Sequence, residues 1–99
     1  MIVGVVRIRL RLHGNDSLKG KRKVIKGIIG QVSSRFNCAV SEVAYHDVWQ
    51  SSEIGIATVG NDGHTINSAL DKILDFIERN VRAEVVDSTI ELIHLGAEQ

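Results

Sequence analysis

Val6-Arg7-Ile8-Arg9-Leu10-Arg11-Leu12-His13 alternates an apolar residue with a basic one at every step. A period of two sets Val6, Ile8, Leu10 and Leu12 on one face of a β-strand and Arg7, Arg9, Arg11 and His13 on the other. Upstream, Ile2, Val3 and Val5 make both faces apolar. The expectation is a strand over 2–13, half-buried along its length and covered on both sides at its start.

Outward from this strand the pattern changes period. His13-Gly14-Asn15-Asp16-Ser17 reads as a loop, with Asp16 or Ser17 placed to cap a helix. Leu18, Ile25, Ile28, Ile29, Val32 and Phe36 then recur at helical spacing, predicting a helix over 18–36 that ends at Asn37. Lys19, Lys23 and Lys26 fall on another face of it. Gly20, Gly27 and Gly30 weaken such a helix by ~1 kcal/mol each relative to alanine, and close packing on a sheet would account for them. A second strand is expected over 38–45, a loop over 46–51 and a third strand over 52–59 with Ile54, Ile56 and Val59. Gly60-Asn61-Asp62-Gly63 is a turn. Ile66, Leu70, Ile73, Leu74 and Ile77 define a second helix, from His64 or Thr65 to Asn80. A last strand over 83–95 contains Val86, Ile90 and Leu92.

The order β-α-β-β-α-β, with one apolar stripe per helix, is solved most simply by a ferredoxin-like α+β fold. That is a four-stranded antiparallel sheet with both helices on one face. Right-handed crossovers set the first strand centrally, between the third and fourth. A chain of 99 residues, 43% hydrophobic, fits one such domain over 1–99 and leaves no room for a (β/α)₈ barrel or a full dinucleotide-binding fold.

The net charge of zero hides an asymmetry. Residues 1–35 carry nine Lys and Arg against Asp16 alone, a net of +8, whereas residues 36–99 carry three cations against eleven acids, a net of −8. Either the basic half meets an anionic partner or the halves neutralise each other in the fold. Two constellations embody the choice. Arg7, Arg9 and Arg11 could line a phosphate track, or pair across strands with Asp87 and Glu91. Lys19, Lys21, Arg22 and Lys23, with Lys26 beyond, crowd a helix N-terminus whose free N–H groups already favour an anion. They suit a phosphate of RNA, or pair with the acidic second helix. Trp49 lies in a polar loop, where it plugs an edge or anchors a partner. Phe36 and Phe76 stand at core spacing.

Catalytic signals are sparse. His13, His46, His64 and His94 show no ligand spacing, and no metal site or cofactor is expected. Cys38 is the sole cysteine, so no disulfide forms within the chain. There is no basic leader before an apolar run and no apolar stretch of ~20 residues, so a soluble, cytoplasmic protein is expected.

Together, the alternating first strand, Ser17-Leu18-Lys19-Gly20-Lys21-Arg22 and Val48-Trp49-Gln50 resemble the YlxP-like family of small bacterial proteins. Gly20, Gly27 and Gly30 look less typical of it. The resemblance implies a ferredoxin-like fold and a bacterial cytosolic protein. It also implies genes near those of translation and ribosome maturation, and likeness to ribosome-binding factor A. It brings no catalytic residues. The first functional expectation is therefore a non-enzymatic module bound to ribosomal RNA or a ribosomal subunit. Lys19, Lys21, Arg22, Lys23 and Lys26 would contact phosphates, supported by Arg7, Arg9 and Arg11. The second is a homodimeric protein-interaction module using Val3, Val5 and Trp49. An enzyme like the acylphosphatases, which use an arginine in the loop after the first strand, is disfavoured, because 13–16 holds no arginine and carries Asp16.

Overall fold

A computed structural model describes residues 1–96. Its elements are β1 (Ile2–Leu12), α1 (Leu18–Arg35), β2 (Ala39–Ala44), β3 (Ser51–Gly60), α2 (Gly63–Glu78) and β4 (Ala83–His94). The four strands form one antiparallel sheet in the order β2-β3-β1-β4. This is the expected βαββαβ arrangement with β1 central, and element ends differ from expectation by only one or two residues. The first helix stops at Phe36, whose extended backbone ends it one residue before Asn37.

The alternation of β1 organises the core. Val6, Ile8, Leu10 and Leu12 are buried against Ile25, Ile28 and Val32 of α1 and Ile66, Leu70, Ile73 and Ile77 of α2. Both helices therefore cover the face of β1 that lacks arginine. Phe36 and Phe76 close one end edge-to-face, with ring centroids 5.8 Å apart. They sit at the core margin, partly buried.

Local chemistry sets the helix starts. Ser17 caps α1 by accepting the Gly20 N–H at 3.0 Å. A Cβ at Gly20 would run into Asn15 Oδ1, so this glycine serves the cap. Asp62 caps α2, accepting the Thr65 hydroxyl at 2.6 Å and the His64 N–H at 3.3 Å. The Thr65 bond, foremost, and the backbone N–H groups hold the Asp62 carboxyl below its ordinary pKa.

Two expectations are corrected. Val86 is 47% exposed and Val85 takes the core-facing position. The register of β1 on β4 shifts between Arg9 and Leu10, and the extra residue of this bulge inverts the phase of β4 beyond it. Gly27 and Gly30 do not pack on the sheet; both are exposed, and a Cβ at either would meet nothing within 4 Å. The tight glycine is Gly4, where a Cβ would collide with Ile66 Cγ2 and lie 3.0 Å from Leu70 Cδ1.

Urea unfolding should separate these glycines. Gly4→Ala overpacks the β1–α2 contact and is expected to cost about 1–3 kcal/mol. Gly27→Ala adds a methyl to an open helix surface and is expected to stabilise by about 1 kcal/mol. Asp62 supplies a pH signature. Its pKa is lowered on folding, so its contribution is full above the ordinary carboxylate range and is lost as pH falls through the lowered value. In Asp62→Asn the acid limb of the unfolding-midpoint curve should lose that component.

Candidate functional site

The basic run at the start of α1 is split by the helix itself. Lys21 lies four residues before Ile25 and seven before Ile28, on the buried stripe Lys21-Ile25-Ile28-Val32. Its side chain is fully buried. The ammonium donates to the carbonyls of Tyr45 and, at 3.0 Å, His46, and pairs with Glu42 Oε2 at 2.9 Å. The Ser52 hydroxyl donates to the same carboxylate oxygen at 2.5 Å. Lys21 thus fastens α1 to β2, to the loop 45–50 and to the start of β3. Tyr45 holds this place with a left-handed backbone, φ 62°. Asn15 adds a second tie, donating to the carbonyls of Ser17 at 2.9 Å and Trp49 at 2.8 Å.

Lys19, Arg22, Lys23 and Lys26 stay exposed. Lys19, Lys23 and Lys26 follow one another along the outer side of α1, with rises of ~6 and ~4.5 Å. The first turn carries no acid. Arg22 lies 3.7 Å from Asp47, both well exposed. Among the described residues, no ion pair joins α1 to Asp71, Asp75 or Glu78 of α2. Gly27 and Gly30 continue the exposed side of this helix.

The arginines lie on the far side of the sheet. Arg7 donates to Glu53 at 2.8 Å, Asp87 at 3.0 Å and Thr89 at 3.3 Å. The hydrogen bond to Glu53, then that to Asp87, raises the guanidinium pKa. Of the two acids weighed in the sequence, Asp87 reaches Arg7, while Glu91 stands beside Val5. Arg9 lies over the Tyr45 ring, 4.9 Å from its centroid. Arg11 is exposed between Ser51 and Glu84. The sheet therefore separates Arg7, Arg9 and Arg11 from the α1 lysines.

Val3 and Val5 occupy the same helix-free face, half-buried, beside a groove of about 510 Å³ lined by Val5, Ala39, Val43, Gly55 and Ala57. Trp49 is 47% exposed. Burial raises the pKa of the Cys38 thiol. Among the described residues there is no cluster of three metal-ligating side chains, and no helix is long and apolar enough to cross a membrane.

The Lys21 tie is testable by denaturation. Lys21→Met leaves Glu42 without its cation in a mostly buried position and is expected to cost about 3 kcal/mol. Adding Glu42→Leu removes the stranded charge, and the double variant should recover a large part of the loss in a urea titration.

Comparison with known proteins accords with this fold. A de novo designed protein, Foldit4, matches with a TM-score of 0.51 at 18% identity over 96% of this chain and 98% of its own. SnoaB, a cofactor-independent oxygenase from Streptomyces nogalater, matches with a TM-score of 0.50 at 14% identity over 98% of this chain and 95% of its own. At such identities the likeness is one of fold alone. In sequence, the chain is 34% identical over 77 residues to the uncharacterized protein YlxP of Bacillus subtilis, spanning 78% of this chain and 84% of the relative. The model of the family described as "Protein of unknown function (DUF503)" matches residues 3–90, and the chain belongs to that family.

Proposed function

We propose that the protein is a non-enzymatic RNA-binding module that docks on ribosomal RNA through the outer side of α1. The observation that carries this reading is the row Lys19, Lys23 and Lys26, exposed together on a helix whose first turn holds no acid. Like charges at i, i+4 destabilise a helix slightly, and cations near its N-terminus oppose the helix dipole. A polyanion laid along this side relieves both penalties. Arg22 flanks the row, and the bare backbone at Gly27 and Gly30 lets a sugar–phosphate chain approach closely.

The footprint is smaller than the sequence implied. Lys21 is committed to Glu42 and two carbonyls, and Arg7 to Glu53 and Asp87. Arg9 and Arg11 face away from α1. Four exposed cations remain on this side: Lys19, Lys23 and Lys26, and Arg22, which has Asp47 3.7 Å away. Contact of this kind reads charge and shape, not base sequence, so specificity for one RNA would come from the RNA's fold.

Fluorescence anisotropy with a short unstructured RNA, and co-sedimentation with ribosomal subunits, test the proposal. With about four phosphates neutralised, log affinity should fall against log salt with a slope of about −3. A fourfold rise in salt then weakens binding about 60-fold. Reversing the row with Lys19→Glu, Lys23→Glu and Lys26→Glu should abolish binding while leaving the far-ultraviolet circular dichroism unchanged. Unaltered affinity in that variant would sink the proposal.

A further inference from the structure

The helix-free face of the sheet carries an ordered pattern that the RNA-binding reading does not use. Strand register arranges it in rows across the sheet. The first row is Ile93, Val3 and Val59; the second is Glu91, Val5, Ala57 and Ala39. The third is Thr89, Arg7, Gly55 and Ser41; the fourth contains Asp87, Arg9 and Glu53. One end of the face is thus apolar and the other is charged, with both signs present. Val59 is 64% exposed, Val43 51% and Ile93 42%.

We infer that this face binds a second copy of the chain, sheet against sheet, about a two-fold axis that runs parallel to the strands midway between β1 and β3. An isologous contact must set residue i on residue j and j on i. This axis exchanges β1 with β3 and keeps every row at its own level. Val3 of one copy then meets Val59 of the other, and Val5 meets Ala57. Arg7 meets Gly55, over which the Val43 side chain packs, and Arg9 meets Glu53.

Val3 on Val59 and Val5 on Ala57 are apolar contacts, and Arg9 meets Glu53 twice. Arg7 and Glu53 keep their own pairing within each copy, and Glu91, on the edge strand β4, falls over Ala39 of the other copy at the rim of the contact, where its carboxylate keeps access to water. An axis across the strands would instead set Val3 and Ile93 on Arg9 and Asp87. The charge pattern therefore selects both the occupant and its orientation.

The area is sufficient. Strands of 11, 6, 10 and 12 residues, with β4 covered only over the length of β2, overlap across roughly 500 Å² of face at ~3.3 Å per residue and ~4.8 Å between strands. Two copies would bury roughly 1,000 Å², which reaches the lower bound of specific interfaces. The aligned sheet packing this requires is an ordinary class, in which the mean strand directions of the two sheets stay within about 30° of each other.

Sedimentation equilibrium on the full chain, from low to high micromolar concentration, tests the inference. The expected mass at the upper end is twice the 10.9 kDa of the chain. Val59→Asp and, separately, Ile93→Asp should halve it, because each sets a carboxylate in the apolar rows. Both side chains are already largely exposed in the single chain, so circular dichroism should show each variant folded. Val81→Asp, at a residue 92% exposed and away from the sheet face, should keep the doubled mass. A wild-type protein with the mass of one chain throughout overturns the inference. So does a doubled mass that neither sheet-face variant lowers, since association then uses another surface.

Discussion

Because β1 is hydrogen-bonded on both edges, every side chain it carries must go to one sheet face or the other. Its strict alternation therefore divides the molecule. Val6, Ile8, Leu10 and Leu12 need an apolar cover, and the two helices supply it. Arg7, Arg9 and Arg11 are sent to the opposite face, where the neighbouring strands must answer their charge. They do so with Glu53 and Asp87 beside Arg7 and with the Tyr45 ring beneath Arg9. A slip of one residue in β1 would exchange the two sets, burying arginines under the helices, so slips of an odd number of residues are excluded.

The buried ammonium of Lys21 is the second constraint. A charge with no exposure to water persists only if it is paired and hydrogen-bonded in place. Glu42 and the carbonyls of Tyr45 and His46 meet that demand, and Ser52 donates to the same Glu42 oxygen that pairs with Lys21. Three segments, α1, β2 and the loop 45–50, converge on one nitrogen, and β3 joins them through Ser52. The loop 45–50 is drawn against the start of α1, and the left-handed backbone at Tyr45 aims its carbonyl at Lys21 while its ring lies under Arg9. One residue thus links the helix layer to the far face of the sheet.

Most of the fold was legible because its signals are local and periodic. The period of two in β1, the helical stripe of α2 and the turn at residues 60–63 each decide their element alone. What escaped was tertiary in origin. The bulge that turns Val85 inward and Val86 outward depends on how β4 meets β1, and nothing within 83–95 announces it. The site was less legible than the fold, for a related reason. Charge draws the eye to Lys19-Gly20-Lys21-Arg22-Lys23 as one cluster, but helical geometry assigns Lys21 to the inner side. The signal was present in the spacing Lys21-Ile25-Ile28-Val32. It is overlooked when a lysine is taken to be solvated by default. The partner of Arg7 was half legible: Asp87 was in view as a candidate, and Glu53, which stands on the neighbouring strand, was not.

The +8 and −8 halves of the sequence resolve into two separate surfaces. On the sheet face, basic residues from β1 meet acids from β3 and β4, so chain segments of opposite charge neutralise each other within the fold. On the outer side of α1 they meet only at Arg22, 3.7 Å from Asp47, and the acids of α2 make no ion pair with the helix among the described residues. The same composition therefore yields one face that is balanced and largely apolar at one end, suited to a like surface, and one helix side that is uniformly basic, suited to a polyanion. The core lies between them. Occupying the sheet face with a second copy leaves both α1 helices outermost, one on each side of the pair. A single polyanion long enough to reach both would be held at two points, and its affinity would then exceed what the four cations of one helix supply.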